Sequence, residues 1–158
     1  MTFGNTGGLL ESRELKILIL EDHPLDAELM TRALQEGGIR FSAVCVETEE
    51  AFKARLDDFG PDLVLSDYNL PSYNGEAALR YVQEKYPHIP VIMVTGSLGE
   101  EAAVAFLKAG AKDYVLKDRV DRLSLAVERA LAEVQCDKAH AESERLLRES
   151  EARFRNAL

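Results

Sequence analysis

The segment Asp62–Asp67 reads DLVLSD, a short run of apolar residues that ends in a carboxylate. Four other segments share this apolar-rich character: Lys16–Glu21 (KILILE), Arg40–Val46 (RFSAVCV), Pro90–Thr95 (PVIMVT) and Asp113–Lys117 (DYVLK). Runs of Ile, Leu and Val with little polar alternation are typical of strands buried on both faces of a parallel sheet. The sequence therefore predicts five such strands.

Longer segments with helical periodicity separate these strands. Their apolar residues recur at intervals of three and four in Leu25–Glu36, Glu49–Asp57, Glu76–Tyr86 and Glu100–Ala109. Gly or Pro residues stand where each helix should end before the next strand. Strict alternation of strands and helices requires right-handed crossovers, which place helices on both faces of the sheet. We therefore predict a doubly wound α/β domain over residues 15–134.

Both ends of the chain depart from this alternation. Residues 1–14 are rich in Gly and polar residues, and they are expected to form a flexible lead. From Asp118 to the last residue the sequence has neither Gly nor Pro and is compatible with one long helix. Its early apolar residues, spaced four, three and four apart, suit packing on the sheet or a coiled-coil seam. Residues 135–158 are expected to form a helical linker, which is either solvated and partly frayed or a weak parallel dimer seam.

The composition argues against several classes of protein. The formal net charge of −9, from 28 acidic and 19 basic residues, disfavours direct binding to nucleic acid or to an anionic membrane surface. Cys45 and Cys136 have neither disulfide nor zinc-site spacing, which fits a reducing cytoplasm. No stretch approaches membrane-spanning length. A dinucleotide-binding enzyme is disfavoured because no GxGxxG motif opens the first helix.

Polar residues close four of the predicted strands. Strand one ends in Glu21 and Asp22, strand three in Asp67, strand four in Thr95 and strand five in Lys117. These ends line the ligand crevice of an open parallel sheet. Three crowded carboxylates repel one another unless a cation neutralises them, and Mg²⁺ suits such a site while leaving room for a phosphoryl oxygen. Asp67 can then act as nucleophile and form an aspartyl phosphate, while Lys117 neutralises charge on the transferred group.

Each of these residues also has a structural explanation. Asp22 can cap the helix that begins near Pro24, and Asp67 can be an ordinary turn residue. Thr95 can belong to a helix-entry turn, and Lys117 can extend from the sheet edge to water. The joint occurrence at four strand ends favours the functional interpretation.

The sequence resembles the receiver domains of bacterial response regulators and hybrid histidine kinases over residues 15–134. The matching motifs stand in the family's order and spacing: Glu21-Asp22 after a strand, Leu65–Pro71 (LSDYNLP) followed by Gly75, Thr95-Gly96, and Ala109–Ala111 before Lys117. The resemblance implies a flavodoxin-like sheet in strand order 2-1-3-4-5. It also implies that Asp67 accepts a phosphoryl group from the phosphohistidine of a histidine kinase or phosphotransfer domain.

The resemblance implies further roles at the site. Asp22 and Asp67 would bind Mg²⁺ together with the backbone carbonyl of Asn69, and Glu21 would help through water. Thr95 would donate a hydrogen bond to the phosphoryl group, and Lys117 would form an ion pair with it. Tyr114 matches an aromatic switch position whose ring turns inward when Thr95 moves; otherwise it is a half-buried strand tyrosine. Phosphorylation would then reshape the face made by the fourth helix, fifth strand and fifth helix.

One position departs from the family pattern. Asp118 follows Lys117, where the family usually has a proline joined by a cis peptide bond. A cis bond is costly without proline, so we expect a trans loop that can still deliver the long lysine side chain.

The segment Glu142–Leu158 looks like the helical lead into a PAS sensory domain of a hybrid kinase. It predicts that the chain precedes a sensor or kinase module. A homodimer through the C-terminal helix is compatible with this arrangement. No kinase signature is present, so this part is expected to catalyse at most its own phosphorylation and dephosphorylation. Two alternatives remain open. One is a degenerate receiver that serves as a dimerisation scaffold. The other is a haloacid-dehalogenase-type phosphatase, which Asn69 disfavours because that class needs an acid two residues after its nucleophile.

Overall fold

The computed structural model describes residues 14–96 and 100–157. Apart from Glu14, the expected flexible lead lies outside the described residues. The strands are β1 (Leu15–Leu20), β2 (Phe41–Val46), β3 (Leu63–Ser66), β4 (Val91–Thr95) and β5 (Asp113–Leu116). The helices are α1 (Pro24–Glu36), α2 (Glu49–Asp58), α3 (Gly75–Lys85), α4 (Glu100–Lys108) and α5 (Leu123–Ala157), with a 3₁₀ segment (Lys117–Arg122) before α5.

The five strands form one parallel sheet in the order β2-β1-β3-β4-β5. This confirms the predicted doubly wound fold and its strand order. Leu20, the last residue of β1, pairs with Val46 of β2 on one side and with Ser66 of β3 on the other. The strand order reverses next to β1, and the loops that follow β1 and β3 therefore flank the crevice where such sheets bind ligands.

Two apolar clusters cover the two faces of the sheet. Along β1, Ile17 and Ile19 face the cluster that includes α1 and α5, whereas Leu18 and Leu20 face the cluster that includes α2, α3 and α4. All four side chains are fully buried. Burial of a side chain of this size contributes about 1.5–3 kcal/mol relative to exposure. The double burial explains why the strands read as continuous apolar runs, and it anchors the strand ends that carry the polar residues.

Three strands end one residue earlier than the sequence pattern predicts. Glu21, Asp67 and Lys117 lie just beyond β1, β3 and β5 rather than inside them. The backbone of the two acidic residues still follows the sheet, because Glu21 N–H donates to Val46 O at 3.0 Å and Asp67 N–H donates to Leu20 O at 2.9 Å. These hydrogen bonds to neighbouring strands fix the positions of both acidic side chains, although the two residues lie one position beyond their strands.

The predicted long helix begins later than Asp118. Residues Lys117–Arg122 form the 3₁₀ segment, in which Arg119 departs from helical geometry with φ −123° and ψ 36°. The first turns of α5 then pack on the sheet, with Leu123, Val127 and Ala130 buried. This confirms the packing alternative for the early part of the helix.

The later part of α5 leaves the body of the domain. Every side chain from Gln135 to Arg155 is exposed, and the described chain is helical through Ala157. Arg145 forms ion pairs with Glu142 and Glu149, which stabilise an exposed helix by a few tenths of a kcal/mol each. None of the described helices combines the length and the apolar character needed to cross a membrane. The role of the linker at residues 135–158 as a dimer seam stays a prediction.

Gly75, the first residue of α3, allows the loop after β3 to return close to its own start. Its N–H donates to Tyr68 O at 3.1 Å. A Cβ at this position would overlap the carbonyl oxygen of Asp67 and lie 2.9 Å from Tyr68 Cα. The third close atom is Met93 Cε, but the other two belong to the backbone, so a larger residue would displace the loop that carries Asp67.

We expect Gly75→Ala to lower the free energy of unfolding by about 1–3 kcal/mol, since the added methyl group overpacks against backbone. Urea unfolding measures this loss. Gly96→Ala is the control, because a Cβ there would meet no described heavy atom within 4 Å. Equal stability of the two variants would show that the close approach at Gly75 is not required.

Candidate functional site

Three carboxylates meet at the carboxyl edge of β1 and β3. Glu21 and Asp22 follow β1, and Asp67 follows β3; each offers one oxygen, and these oxygens all lie within 4.8 Å of one another. Glu21 is only 1% exposed, Asp67 is also buried, and Asp22 is partly buried. The structure thus brings together the three acids that the sequence singles out.

Backbone amides orient two of these carboxylates. Asp67 Oδ1 accepts a hydrogen bond from Tyr68 N–H at 2.7 Å, and Glu21 Oε1 accepts one from His23 N–H at 3.1 Å. Asp22 is not the helix cap, because His23 occupies the N-cap position of α1 and makes no side-chain cap bond. The ordinary capping role considered for Asp22 is therefore wrong.

Lys117 joins the carboxylates from the far side of β4. Its Nζ donates to Asp26 Oδ2 at 2.8 Å and to Asp67 Oδ2 at 3.2 Å, and it forms an ion pair with Glu21 Oε2 at 2.9 Å. Its side chain is 20% exposed. No cis peptide bond occurs among the described residues, so the Lys117–Asp118 bond is trans. The departure from proline at residue 118 therefore does not prevent the ammonium group from reaching Asp67.

Asp26 is a member of the site that the sequence reasoning missed. It lies in the first turn of α1, four residues after Asp22, and its side chain is 26% exposed. Acidic residues are common in the first turn of a helix because they interact favourably with the helix dipole, so Asp26 does not stand out in the sequence. The available signal was the spacing of four from Asp22, which aims the side chain of an early α1 residue back toward the end of β1.

The site carries more negative charge than its own residues can balance. Four carboxylates face one ammonium group. Burial raises the pKa of Glu21; the interaction with Lys117 opposes this shift and the charge of Asp67 adds to it. Burial by itself would lower the pKa of Lys117, but Asp26, Glu21 and Asp67 together raise it above its ordinary value. The ammonium group therefore stays charged.

The donor set suits a hard cation. Despite its ion pair with Lys117, Glu21 Oε2 is a buried oxygen with no hydrogen-bond partner of good geometry among the described residues. The neighbouring ligands from Asp22 and Asp67 are also carboxylate oxygens. Mg²⁺ prefers such oxygens, so the residues present fit the ion that the sequence predicts.

Two further predicted residues, Thr95 and Asn69, lie at or just after the ends of β4 and β3. Thr95 ends β4 and is buried, and the sheet register pairs it with Leu116, the neighbour of Lys117 in sequence. Asn69 lies in the loop after Asp67 and forms an isolated antiparallel bridge with Asn74. Both therefore belong to the same edge of the sheet as the carboxylates.

Tyr114 lies on β5 beside Met93, and its side chain is 37% exposed. In this structure it lies at the surface of β5. Its inward rotation on phosphorylation stays a prediction.

Comparisons with known proteins agree with this geometry. The family model for the response regulator receiver domain matches residues 17–128. The chain is 34% identical over 102 residues to the response regulator protein FleR of Pseudomonas aeruginosa. The matched residues make up 65% of this chain and 21% of FleR. It is 33% identical over 117 residues to the regulatory protein AtoC of Escherichia coli. Here the matched residues make up 73% of this chain and 25% of AtoC. These relatives are therefore much longer than the part that matches.

A solved structure shows the same likeness over nearly its whole length. The response regulator receiver domain protein (CheY-like) from Methanospirillum hungatei superposes with a TM-score of 0.67 at 25% sequence identity. The match covers 79% of this chain and 99% of that one. The family model ends at residue 128, so the family match does not include the exposed end of α5.

We expect Glu21→Gln to stabilise the metal-free protein at about pH 7. The pKa of Glu21 is raised in the folded state, so its ionisation opposes folding, and that cost grows as the pH rises through the folded pKa. The stabilisation should therefore shrink at about pH 4, near or below the ordinary glutamate pKa. Urea unfolding with a chelator at both pH values measures it.

Glu28→Gln is the matched control for this experiment, because Glu28 is exposed and pairs only with Arg32 in the contacts described. We expect its effect to stay within about 0.5 kcal/mol at either pH. A loss of stability for Glu21→Gln at about pH 7 would mean that its ion pair with Lys117 outweighs the cost of burial.

Proposed function

Because the chain belongs to the response regulator receiver domain family, we propose that it is a signalling switch that accepts a phosphoryl group on Asp67. The donor is the phosphohistidine of a histidine kinase or phosphotransfer domain. The observation that carries this proposal is the meeting of Glu21, Asp22 and Asp67 at one strand edge, with the ammonium group of Lys117 3.2 Å from Asp67 Oδ2.

The transfer needs a nucleophile held in place and charge near the transferred group. One carboxylate oxygen of Asp67 forms the new O–P bond as the N–P bond of the donor breaks, and the electron pair of that bond stays on the imidazole. The N–H of Tyr68 restrains the carboxylate through Oδ1, and Lys117 lies ready to neutralise phosphoryl oxygens. Positioning and preorganised charge account for most catalysis of this kind.

Glu21, Asp22 and Asp67 would hold Mg²⁺, together with the backbone carbonyl of Asn69. When bound, the ion supplies positive charge that neutralises the crowded carboxylates and the phosphoryl oxygens. The assignment is supported by Glu21 Oε2, a buried oxygen that has no hydrogen-bond partner among the described residues although it lies 2.9 Å from Lys117 Nζ.

Phosphorylation would be read at the face made by α4, β5 and α5. Thr95 would turn toward the phosphoryl group, and Tyr114 would follow it inward and change that face. The face already exposes apolar side chains that suit a protein partner, namely Val104, Leu107, Tyr114 and Leu125. The phosphoryl group thus shifts an equilibrium between two surfaces rather than building a new one.

The exposed part of α5 would carry the signal onward. Leu146, Leu147 and Phe154 are exposed there, and they are candidates for a homodimer seam or for contact with a following module. We propose that the parent protein is a hybrid histidine kinase with a PAS module after this helix, and that the receiver works in the cytoplasm without contacting nucleic acid itself. Residues 15–134 would be the receiver and residues 135–158 the linker.

Incubation with acetyl phosphate and Mg²⁺ should add a single phosphoryl group to the protein, detected by intact-protein mass spectrometry. We expect no adduct for Asp67→Asn, because the nucleophilic oxygen is lost, and none when EDTA is present. Asp57→Asn removes an exposed carboxylate from α2 and should leave the adduct unchanged. An adduct on Asp67→Asn would refute the assignment of the phosphoacceptor. No adduct on any form would favour the dimerisation scaffold.

Mg²⁺ by itself should raise the melting temperature of the protein, because a ligand that binds only the folded state stabilises it. The gain is about 2.7 kcal/mol at a free concentration one hundred times the dissociation constant. Asp22→Asn should abolish most of this gain, whereas Asp57→Asn should keep it. Differential scanning calorimetry with and without the ion measures the effect, and an unchanged response in Asp22→Asn would remove Asp22 from the binding site.

A further inference from the structure

We propose that Asp26 is a positioning residue for Lys117, holding the ammonium group beside Asp67 when the other carboxylates are engaged. The inference rests in part on the proposed function, since that function engages Glu21 and Asp67 with a cation and a phosphoryl group. Asp26 itself would touch neither. Its role would be to keep the lysine within reach of the reacting oxygens.

Lys117 has three carboxylate partners, and Asp26 differs from the other two. Lys117 Nζ lies 2.8 Å from Asp26 Oδ2, 2.9 Å from Glu21 Oε2 and 3.2 Å from Asp67 Oδ2, and it donates a hydrogen bond to both aspartates. Glu21 and Asp67 also belong to the carboxylate cluster that suits a cation, whereas Asp26 does not. Among the described carboxylates that contact Lys117, Asp26 is thus the one that keeps its charge available when the cluster is occupied.

Asp26 has a rigid support. It lies in the first turn of α1, and its own N–H donates to His23 O at 3.1 Å. Met30 and Leu34 on the same helix are buried in the core, which fixes the helix against the sheet. A carboxylate on such an element can hold a partner in one place, because the element itself does not move to follow it.

Lys117 needs such a partner in this chain. It begins the 3₁₀ segment that follows β5; no residue of that segment is buried, and its Val120 packs against the core cluster while partly buried. The four-carbon stem of a lysine has many rotamers, so its ammonium group is poorly directed by the backbone alone. Asp26 would fix the position of the ammonium group through a hydrogen bond from α1. The two residues are 91 positions apart in sequence, so the fold brings them together.

The same oxygen of Asp26 also lies 3.7 Å from His23 Nδ1. The ring of His23 is mostly exposed and the distance is longer than that to Lys117, so the lysine is the closer partner. Experiments at about pH 8, above the ordinary range in which histidine is charged, keep this second interaction weak.

The first test is amine labelling with an acylating reagent at a saturating concentration of Mg²⁺, so that Glu21 and Asp67 are engaged, read by peptide mass spectrometry. We expect Asp26→Asn to label at Lys117 about threefold faster or more, because a released ammonium group is more accessible to the reagent. Asp26→Glu should recover much of the protection. Glu28→Gln, which makes the same charge change on the same helix, should leave the rate unchanged. Equal labelling of Asp26→Asn and the unmodified protein would overturn the proposal.

The second test is a double-mutant cycle on the rate of phosphoryl adduct formation from acetyl phosphate and Mg²⁺. Asp26→Asn should slow the reaction about threefold or more when Lys117 is present, and by less than about twofold in the Lys117→Ala background, because residues that act together are not additive. The same loss in both backgrounds would show that Asp26 acts independently of Lys117.

The two tests separate this inference from the proposed function. If the unmodified protein forms no adduct, the proposed function fails, but the labelling result still decides whether Asp26 holds Lys117. If Lys117→Ala leaves no measurable adduct, labelling likewise decides alone. Unfolding curves of Asp26→Asn and Glu28→Gln show whether either variant has lost its fold.

Discussion

The confinement of several carboxylates to one edge of the sheet, with a single ammonium group among them, is the constraint on which the site depends. Like charges in a buried crevice raise the free energy of the folded state, and Glu21 bears that cost most directly because it is almost fully buried. The double-sided apolar core compensates for this cost. Such a site favours a cation, since a cation neutralises the carboxylates and relieves their repulsion.

The fold places these groups through a few close approaches. The reversal of strand order beside β1 brings Asp22 and Asp67 to neighbouring strand ends, and Gly75 lets the loop after Asp67 fold back on itself. Lys117 arrives from β5, two strands away from β3, through a turn with a trans peptide bond. Asp26 meets it from α1. The site is thus assembled from elements that are distant along the chain, and the rigidity of the sheet sets its geometry.

Much of this arrangement could be predicted before the structure was known. The five apolar runs, the alternating helices and the polar residues at the strand ends led to the fold and to the convergence of Glu21, Asp22 and Asp67, and the family resemblance led to the strand order. The ends of three strands were misplaced by one residue, because a polar residue can continue the hydrogen bonding of a strand while its backbone leaves the sheet. The sequence predicts a helix from Asp118, whereas the structure has a 3₁₀ segment there, because no Gly or Pro in that stretch marks the change.

By itself, the sequence determined which segments are buried on both faces and which residues end them, because continuous apolar runs cannot be satisfied except inside a sheet covered by helices. Only the tertiary structure decided how the charges pair. The partnership of Asp26 with Lys117 joins residues 91 positions apart, and no local pattern encodes which of four carboxylates an ammonium group will approach most closely. That choice depends on distances of a few tenths of an ångström among side chains, which are set when the packed sheet and helices bring the two elements together.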